Sequence, residues 1–175
     1  MMKKSKLIYL LLAVLISGAF QSCSNKDEDS YAEWREKNEA YIEEIKNNPE
    51  YKATTEPKGG PGAIYYKRLN PLEFDDRVSP IYTDKVKVHY KGSFYEGTVF
   101  ADASDRTVAL NVNKVELSNI TGEVKGLAVA LQNMQVGDKW EIQIPWELGY
   151  GYYGSGSIPP YSALVFEIEL LEIIQ

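Results

Sequence analysis

Side chains that catalyse covalent chemistry are scarce in this chain. Among its 175 residues there is one histidine, His89, and one cysteine, Cys23. A single cysteine cannot form an internal disulfide, and these two residues are too few for a zinc site made by protein ligands alone. No nucleophile motif accompanies His89, so the residue types argue against a serine or cysteine triad and indicate no metal.

Aromatic residues placed among glycines and prolines are the other distinctive feature. The chain has 13 tyrosines, and Tyr150 lies between two glycines. Glycines make such a loop tight, while Pro159 and Pro160 stiffen the loop that carries Ile158. These residue types indicate a β-rich fold with aromatic surfaces.

The composition limits the remaining possibilities. Hydrophobic residues make up 44% of the chain and charged residues 25%, which is enough to form the core of one domain with accessory segments. The formal net charge is −6. This charge argues against nucleic acid as a partner, because nucleic-acid binding needs a basic face.

Hydrophobic periodicity predicts the elements that hold the aromatic residues in place. Alternating apolar and polar residues predict strands over residues 63–69, 85–90, 139–144 and 162–174. A short helix is predicted over residues 124–134, where one face carries Leu127, Leu131 and Met134. Several strands with one short helix indicate an α+β domain, in which an antiparallel sheet packs on that helix.

A further helix is predicted over residues 31–47, before these strands. Its apolar stripe consists of Tyr31, Trp34, Tyr41 and Ile45. Asp29 or Ser30 could cap its start, and Asn47-Asn48-Pro49 ends it. The stripe is expected to dock on the main domain, with pairing to a second copy of the chain as the alternative. Residues 54–62 are rich in Pro, Gly and Thr and are predicted to be a linker.

Two groups of motifs carry a resemblance to a known family. Residues 86–100 read VKVHYKGSFYEGTVF. The later motifs are Val124-Lys125-Gly126, Met134-Gln135-Val136-Gly137, Leu148-Gly149-Tyr150-Gly151, Ile158-Pro159-Pro160 and LVFEIEL from Leu164 to Leu170. In order and spacing they resemble the FKBP-type peptidyl-prolyl cis-trans isomerases over about residues 62–175. The resemblance implies a curved antiparallel β-sheet of five to six strands wrapped on one short α-helix, to which the N-terminal helix is an addition.

The resemblance also implies where the site lies. Its walls are expected to be Tyr90, Phe100, Val124, Leu127, Tyr150, Ile158 and Phe166. The Tyr150 hydroxyl and the Val124 backbone N–H are expected to donate hydrogen bonds to substrate carbonyls. Leu110 and Tyr161 are expected to border the bound peptide.

The reaction implied is rotation about an X-Pro peptide bond, the one common peptide bond with both isomers populated. Rotation has a barrier of about 18–20 kcal/mol. A dry aromatic pocket lowers this barrier by favouring the twisted amide over the planar one. Because no bond breaks, the reaction needs no nucleophile, metal or cofactor. The partners implied are proline-containing peptides, unfolded proteins and macrolide inhibitors.

Three positions depart from the family pattern. Leu127 stands where the family usually has a tryptophan at the pocket floor. Ala101 stands at the position of the family's acid, so either Asp102, one residue later, turns into the site or the acid is absent. The segment over residues 108–122 is longer and more polar than usual, and Ala109 or Leu110 stands in place of the aromatic residue that would close the pocket. These departures bear on catalytic efficiency and not on the fold.

The N-terminal residues have the pattern of an export signal. Three early lysines precede an apolar run over residues 7–16, which is too short to span a bilayer of about 30 Å as a helix. Residues 1–22 resemble a lipoprotein signal peptide that would be followed by lipidation of Cys23. An ordinary secretory signal with an unrelated cysteine is the alternative. Residues 24–30 are either a solvated spacer or a signal for export to the outer surface.

The predicted organisation is a signal peptide over residues 1–22, a tether, helix and linker over 23–61, and an isomerase domain over 62–175. The expected function is a lipid-anchored isomerase of the cell envelope that assists the folding of exported proteins. It is expected in the outer membrane, on either the periplasmic or the surface face, as a monomer or as a dimer through the N-terminal helix. A non-catalytic module that binds proline-containing loops or partner proteins is the alternative, and a structural lipoprotein with an unused site is a third interpretation.

Overall fold

The computed structural model describes residues 30–55, 62–70, 78–118 and 120–174. Within these ranges the helices are α1 (Ala32–Asn47) and α2 (Lys125–Asn133), and a short 3-10 turn covers Trp146–Leu148. The strands are β1 (Lys52–Thr54), β2 (Ile64–Arg68), β3 (Lys85–Phe94), β4 (Val99–Asn111), β5 (Lys139–Ile144) and β6 (Leu164–Ile174). They form a six-stranded sheet in the order β1-β2-β5-β6-β3-β4, in which every neighbouring pair is antiparallel. The predicted α+β architecture is confirmed.

Alternation along the strands places the core on one face of the sheet. In β3, for example, Val86 and Val88 are fully buried. This apolar face packs on α2, whose Leu127 has no exposed surface. A β-carbon at Gly126 would lie 2.5 Å from Cγ2 of Ile144. Glycine at this position therefore lets α2 approach β5 closely enough to exclude water between them.

The predicted strands are present with small changes at their ends. β5 has its predicted bounds, β2 and β6 lie within theirs, and β3 continues to Phe94. β1 and β4 are not predicted by the sequence pattern, and Thr54 belongs to β1 instead of a linker. Both are the edge strands of the sheet, and an edge strand needs no strict apolar alternation because much of its side-chain surface meets water. Residues 56–61, the rest of the predicted linker, lie outside the described residues.

Helix α1 docks on the sheet, on the face opposite α2. Its Ile42 and Ile45 are each 6% exposed, and the Tyr41 hydroxyl donates to Oε1 of Gln143 in β5 over 2.7 Å. The predicted helix is thus present and packs on its own domain. Tyr31 and not Ser30 is the N-cap residue, and the Tyr31 side chain makes no capping hydrogen bond. The other predicted cap, Asp29, lies outside the described residues.

The predicted export signal also lies outside the described residues. Residues 1–29, which include the apolar run and Cys23, are not among the ranges given above. In the part of the chain that is described, no helix combines the length and the apolar character needed to cross a bilayer.

Candidate active site

An aromatic cluster lies where β3, β4 and β6 meet. The rings of Phe100 and Phe166 are 5.7 Å apart and nearly perpendicular, and Phe94 lies 5.2 Å from Phe100 on the other side. Gly92 lies against these rings on β3, and a β-carbon there would lie 2.7 Å from Phe166 and 2.8 Å from Phe100. The absence of a side chain at this position allows the two rings to rest directly on the backbone.

The predicted wall residues belong to the same hydrophobic core as this cluster. We name the following set the apolar site: Tyr90, Phe100, Leu110, Val124, Leu127, Tyr150, Ile158 and Phe166. All except two of them are at most 3% exposed. Phe100 and Tyr150 are half-buried, so the bottom of the site is covered and a ligand first meets the exposed faces of these two rings.

Tyr150 carries one of the two hydroxyls of the apolar site, and Tyr90 carries the other. The Tyr150 hydroxyl oxygen is buried and has no hydrogen-bond partner among the described residues. Burial, together with the neighbouring Tyr90 hydroxyl, raises the pKa of Tyr150 above its usual value. The side chain is therefore a neutral phenol with a free O–H at physiological pH. Buried polar groups are rarely left unpaired in native structures, and this hydroxyl can donate a hydrogen bond to a ligand.

The second predicted donor is not available. The Val124 N–H donates to the carbonyl of Val115 over 2.9 Å, so the expectation that it binds a substrate carbonyl is contradicted in this structure. Val115 and Leu117 are buried in the same core. They lie in the segment that is more polar than usual for the family, and the only signal for them in the sequence is the series of apolar residues at 112, 115 and 117.

Asp102 does not lie in the apolar site, and its prediction as a catalytic residue is corrected. The pairing of β3 with β4 shifts between Gly92 and Ser93, which leaves Phe100 as an extra residue opposite that step. After this bulge the residues that face the core are Ala101 and Ala103, and Asp102 between them is exposed.

The Asp102 carboxylate binds locally instead. Its Oδ1 accepts hydrogen bonds from the backbone N–H of Ser104 over 2.9 Å and from the Ser104 hydroxyl over 2.6 Å. These hydrogen bonds lower the pKa of Asp102. The acid of the family pattern is therefore absent from the site, and Ala101 leaves that corner apolar.

Tyr161 faces away from the apolar site, so its predicted place at the rim is also corrected. Its ring centre lies 5.1 Å from that of Trp146 and 4.8 Å from the guanidinium carbon of Arg35 in α1. Tyr161 has a φ of 59°, a left-handed conformation that turns the side chain of this residue toward α1. His89, which has no predicted role, lies on the polar side of the sheet with its Nδ1 3.7 Å from Glu169.

Residues 77–171 match the family described as FKBP-type peptidyl-prolyl cis-trans isomerase. The protein belongs to the FKBP family. This FKBP chain is 31% identical to the macrophage infectivity potentiator of Trypanosoma cruzi over 172 residues, which are 97% of this chain and 83% of that protein.

Other relatives match the FKBP domain over part of their length. The chain is 50% identical over 96 residues to the FKBP-type 22 kDa peptidyl-prolyl cis-trans isomerase of Escherichia coli, covering 54% of this chain and 44% of that protein. A crystal structure of a peptidyl-prolyl cis-trans isomerase from Pseudomonas syringae matches with a TM-score of 0.67 and 27% identity, covering 83% of this chain and 96% of that one. FkpA from Escherichia coli has the same TM-score of 0.67 at 25% identity, covering 98% and 74%.

Within the described ranges, no group of three or more His, Cys, Asp or Glu side chains is arranged to hold a metal ion. The FKBP site offers an apolar surface of rings with the hydroxyls of Tyr90 and Tyr150, which can bind and orient an amide.

Proposed function

We propose that this protein is a peptidyl-prolyl cis-trans isomerase that assists the folding of exported proteins. The observation that carries the proposal is the buried Tyr150 hydroxyl, unpaired among the described residues, in the same hydrophobic core as the Phe100 and Phe166 rings. Family membership and the names of several relatives support it. The chain spans 44% of the length of the Escherichia coli 22 kDa isomerase, so the activity is argued from the site itself.

Catalysis in this site follows from desolvation and orientation. The prolyl ring packs on the exposed part of Phe100, and the Tyr150 hydroxyl donates to a carbonyl of the peptide. Little water reaches an amide held between these rings, so the planar form loses the solvation of its dipole and the twisted form is favoured in comparison. Ala101, at the position of the family's acid, adds no charge. Catalysis therefore depends on the apolar walls and on the hydrogen bond from Tyr150.

A protease-coupled isomerisation assay on a Leu-Pro peptide tests the proposal. We expect the wild-type protein to accelerate isomerisation and Tyr150→Phe to lower kcat/KM about tenfold, the value of one hydrogen bond in a buried site. Asp102→Asn is the matched control, because Asp102 is exposed and bound to Ser104, and we expect it to leave the rate unchanged. A wild-type rate equal to the spontaneous one would rule out the enzyme.

A non-catalytic binding module is the second candidate. It is favoured by the absence of an acid from the site and by the Val124 N–H, which already has a partner. Relatives from Neisseria meningitidis are named FK506-binding protein, and we propose that this site also accepts that macrolide. Binding of FK506 together with a spontaneous isomerisation rate would select the module, whereas binding together with turnover selects the enzyme.

We also propose that the protein is exported and anchored by lipid at Cys23. The proposal rests on the sequence of residues 1–22 and on the position of the only cysteine. Metabolic labelling with a radioactive fatty acid is expected to label the wild-type protein and not Cys23→Ala. Protease added to intact cells then distinguishes a surface location, where the protein is cleaved, from a periplasmic one in the outer membrane.

The protein is proposed to be a monomer in solution without its lipid. Helix α1 buries Ile42 and Ile45 against its own domain, so its apolar face is not free to pair with another copy. Light scattering on the protein that begins after Cys23 measures the mass directly, and a concentration-independent dimer would contradict the proposal.

A further inference from the structure

One turn of α1 is bonded to the loop that supplies Ile158 to the apolar site. We name residues 158–163 the Ile158 loop. Asn38 has no exposed surface, and its Oδ1 accepts the backbone N–H of Ala163 over 2.8 Å. Its Nδ2 donates to the carbonyl of Trp34 over 2.7 Å. A fully buried amide that joins a helix to the end of a loop fixes the distance between them.

A second connection begins one turn earlier on the same face of the helix. The Trp34 indole N–H donates to the Ser162 hydroxyl over 3.2 Å, and that hydroxyl donates to the carbonyl of Pro159 over 2.7 Å. Ser162 is 2% exposed, so water does not compete strongly for these bonds. The connection reaches the residue that directly follows Ile158.

The third connection supports a strained residue. Tyr161 is the only non-glycine residue in the described ranges with a positive φ, 59°, a conformation that a bulky side chain adopts only where its surroundings hold it. The Arg35 guanidinium lies 4.8 Å from its ring. The Tyr161 N–H donates to the carbonyl of Gly151 over 3.0 Å, which ties the loop to the residue next to Tyr150.

We propose that α1 is a functional part of the isomerase site, in which Trp34, Arg35 and Asn38 are positioning residues for the Ile158 loop. They fix Ile158, which is 2% exposed within the apolar site, and through Gly151 they fix Tyr150. The inference rests on the proposed isomerase function. The rest of the helix is attached to the sheet by the hydrogen bond from Tyr41 to Gln143 of β5. Contact with the loop is therefore not needed to dock the helix.

Two single variants separate the contact of α1 with the Ile158 loop from its contact with the sheet. Trp34→Phe keeps an aromatic ring next to Phe94, 5.9 Å away in the wild type, and removes the N–H that binds Ser162. Tyr41→Phe removes a hydrogen bond between the same helix and the sheet. Tyr41→Phe loses one hydrogen bond of α1, and Trp34→Phe loses one hydrogen bond together with part of the indole surface that packs on Tyr95. We therefore expect the loss of melting temperature to be at least as large in Trp34→Phe as in Tyr41→Phe. We expect kcat/KM to fall about three- to tenfold in Trp34→Phe and to change less than about twofold in Tyr41→Phe.

A double-mutant cycle shows whether the effect passes through the loop. If Trp34 acts through Ser162, adding Trp34→Phe to Ser162→Ala causes no further loss of kcat/KM. Full additivity of the two losses, or equal losses of kcat/KM in Trp34→Phe and Tyr41→Phe, would overturn the positioning role.

Backbone amide chemical shifts separate this inference from the proposed activity. Recorded without substrate, the amide signals of Gly151 and Ile158 are expected to move in Trp34→Phe and to stay in place in Tyr41→Phe. Unmoved signals in both variants overturn the inference. If the wild-type protein has no isomerase activity but these signals still move in Trp34→Phe, the proposed function is wrong. The helix then remains the element that positions the loop.

Discussion

At the scale of the residue, Tyr150 combines a cost in stability with a role in binding. A buried hydroxyl without a partner loses its hydrogen bonds to water and gains none within the protein. Such a group is retained where a ligand supplies the missing bond. The same atom that we propose binds a peptide carbonyl is thus expected to destabilise the free protein.

Replacement of Tyr150 by phenylalanine is therefore expected to leave the folded protein as stable as before, or more stable by up to about 1 kcal/mol. The ring and its packing remain, and only the unpaired oxygen is lost. Urea denaturation monitored by circular dichroism measures the free energy of unfolding. Tyr152→Phe, which alters an exposed tyrosine of the same loop, is the control. A loss of more than 1 kcal/mol in Tyr150→Phe would mean that the hydroxyl has a partner after all.

The raised pKa of Tyr150 also predicts how stability depends on alkaline pH. In the unfolded chain the tyrosine ionises near its ordinary pKa of 10.0, whereas in the folded protein burial keeps it neutral to higher pH. The contribution of Tyr150 to the free energy of unfolding is therefore complete below pH 10. It is lost as the pH rises through the pKa of this residue in the folded protein. We expect the unfolding free energy of the wild type to fall more steeply above pH 10 than that of Tyr150→Phe. Equal slopes in urea titrations of the two proteins would contradict the buried, neutral phenol.

At the scale of the element, the bulge between β3 and β4 determines what the site contains. It places Phe100 against Gly92 and turns Asp102 to solvent. A regular ladder would preserve the alternation through this segment. One extra residue therefore decides whether the site holds an acid or an alanine.

Gly92→Ala tests this packing. The new β-carbon would come within 2.8 Å of both the Phe100 and the Phe166 rings, so one ring must move. We expect a loss of about 1–3 kcal/mol in stability, as in other overpacked cores, together with a reduced kcat/KM. Ala103→Gly, at a buried position of β4, is the control. It exchanges alanine and glycine in the same region of the sheet but adds no volume to the core. A fully active Gly92→Ala protein would show that the positions of these rings do not matter for catalysis.

The elements also show which features the sequence can predict. Strands β3, β5 and β6 and helix α2 follow from apolar periodicity, because each buries one side against the core. The motif positions of Tyr90 and Phe166 place both in the apolar site. Asp102, the Val124 N–H and Tyr161 were assigned wrongly, since each depends on a local irregularity. These irregularities are a bulge, a hydrogen bond to a distant segment and a positive φ, and none of them changes the pattern of residue types.

At the scale of the whole molecule, α1 and the sheet form one unit, which contains the described residues from Tyr31 onward. The helix contributes two buried isoleucines and a buried asparagine to it. This arrangement explains why α1 could be predicted as a helix from its own sequence while the surface it covers could not. That surface carries Gln143 and Ser162, polar residues that do not mark a docking site in the sequence.

A single unfolding transition is accordingly expected. Trp34 reports on α1, and circular dichroism reports mainly on the sheet and both helices. Because α1 and the sheet share buried contacts, we expect the fluorescence and circular dichroism curves to coincide in urea. Subtraction of the Trp34→Phe curve isolates the signal of the helix. An earlier transition in the isolated Trp34 signal would mean that the helix detaches before the domain unfolds.

The chain of rings from α1 to the apolar site has a practical consequence. Trp34 contacts Phe94, Phe94 contacts Phe100, and Phe100 is one of the two rings that a ligand meets first. A ligand that displaces Phe100 is expected to change the surroundings of the Trp34 indole and to shift its fluorescence emission. Binding to the apolar site can then be titrated by intrinsic fluorescence, without a dye or a labelled peptide.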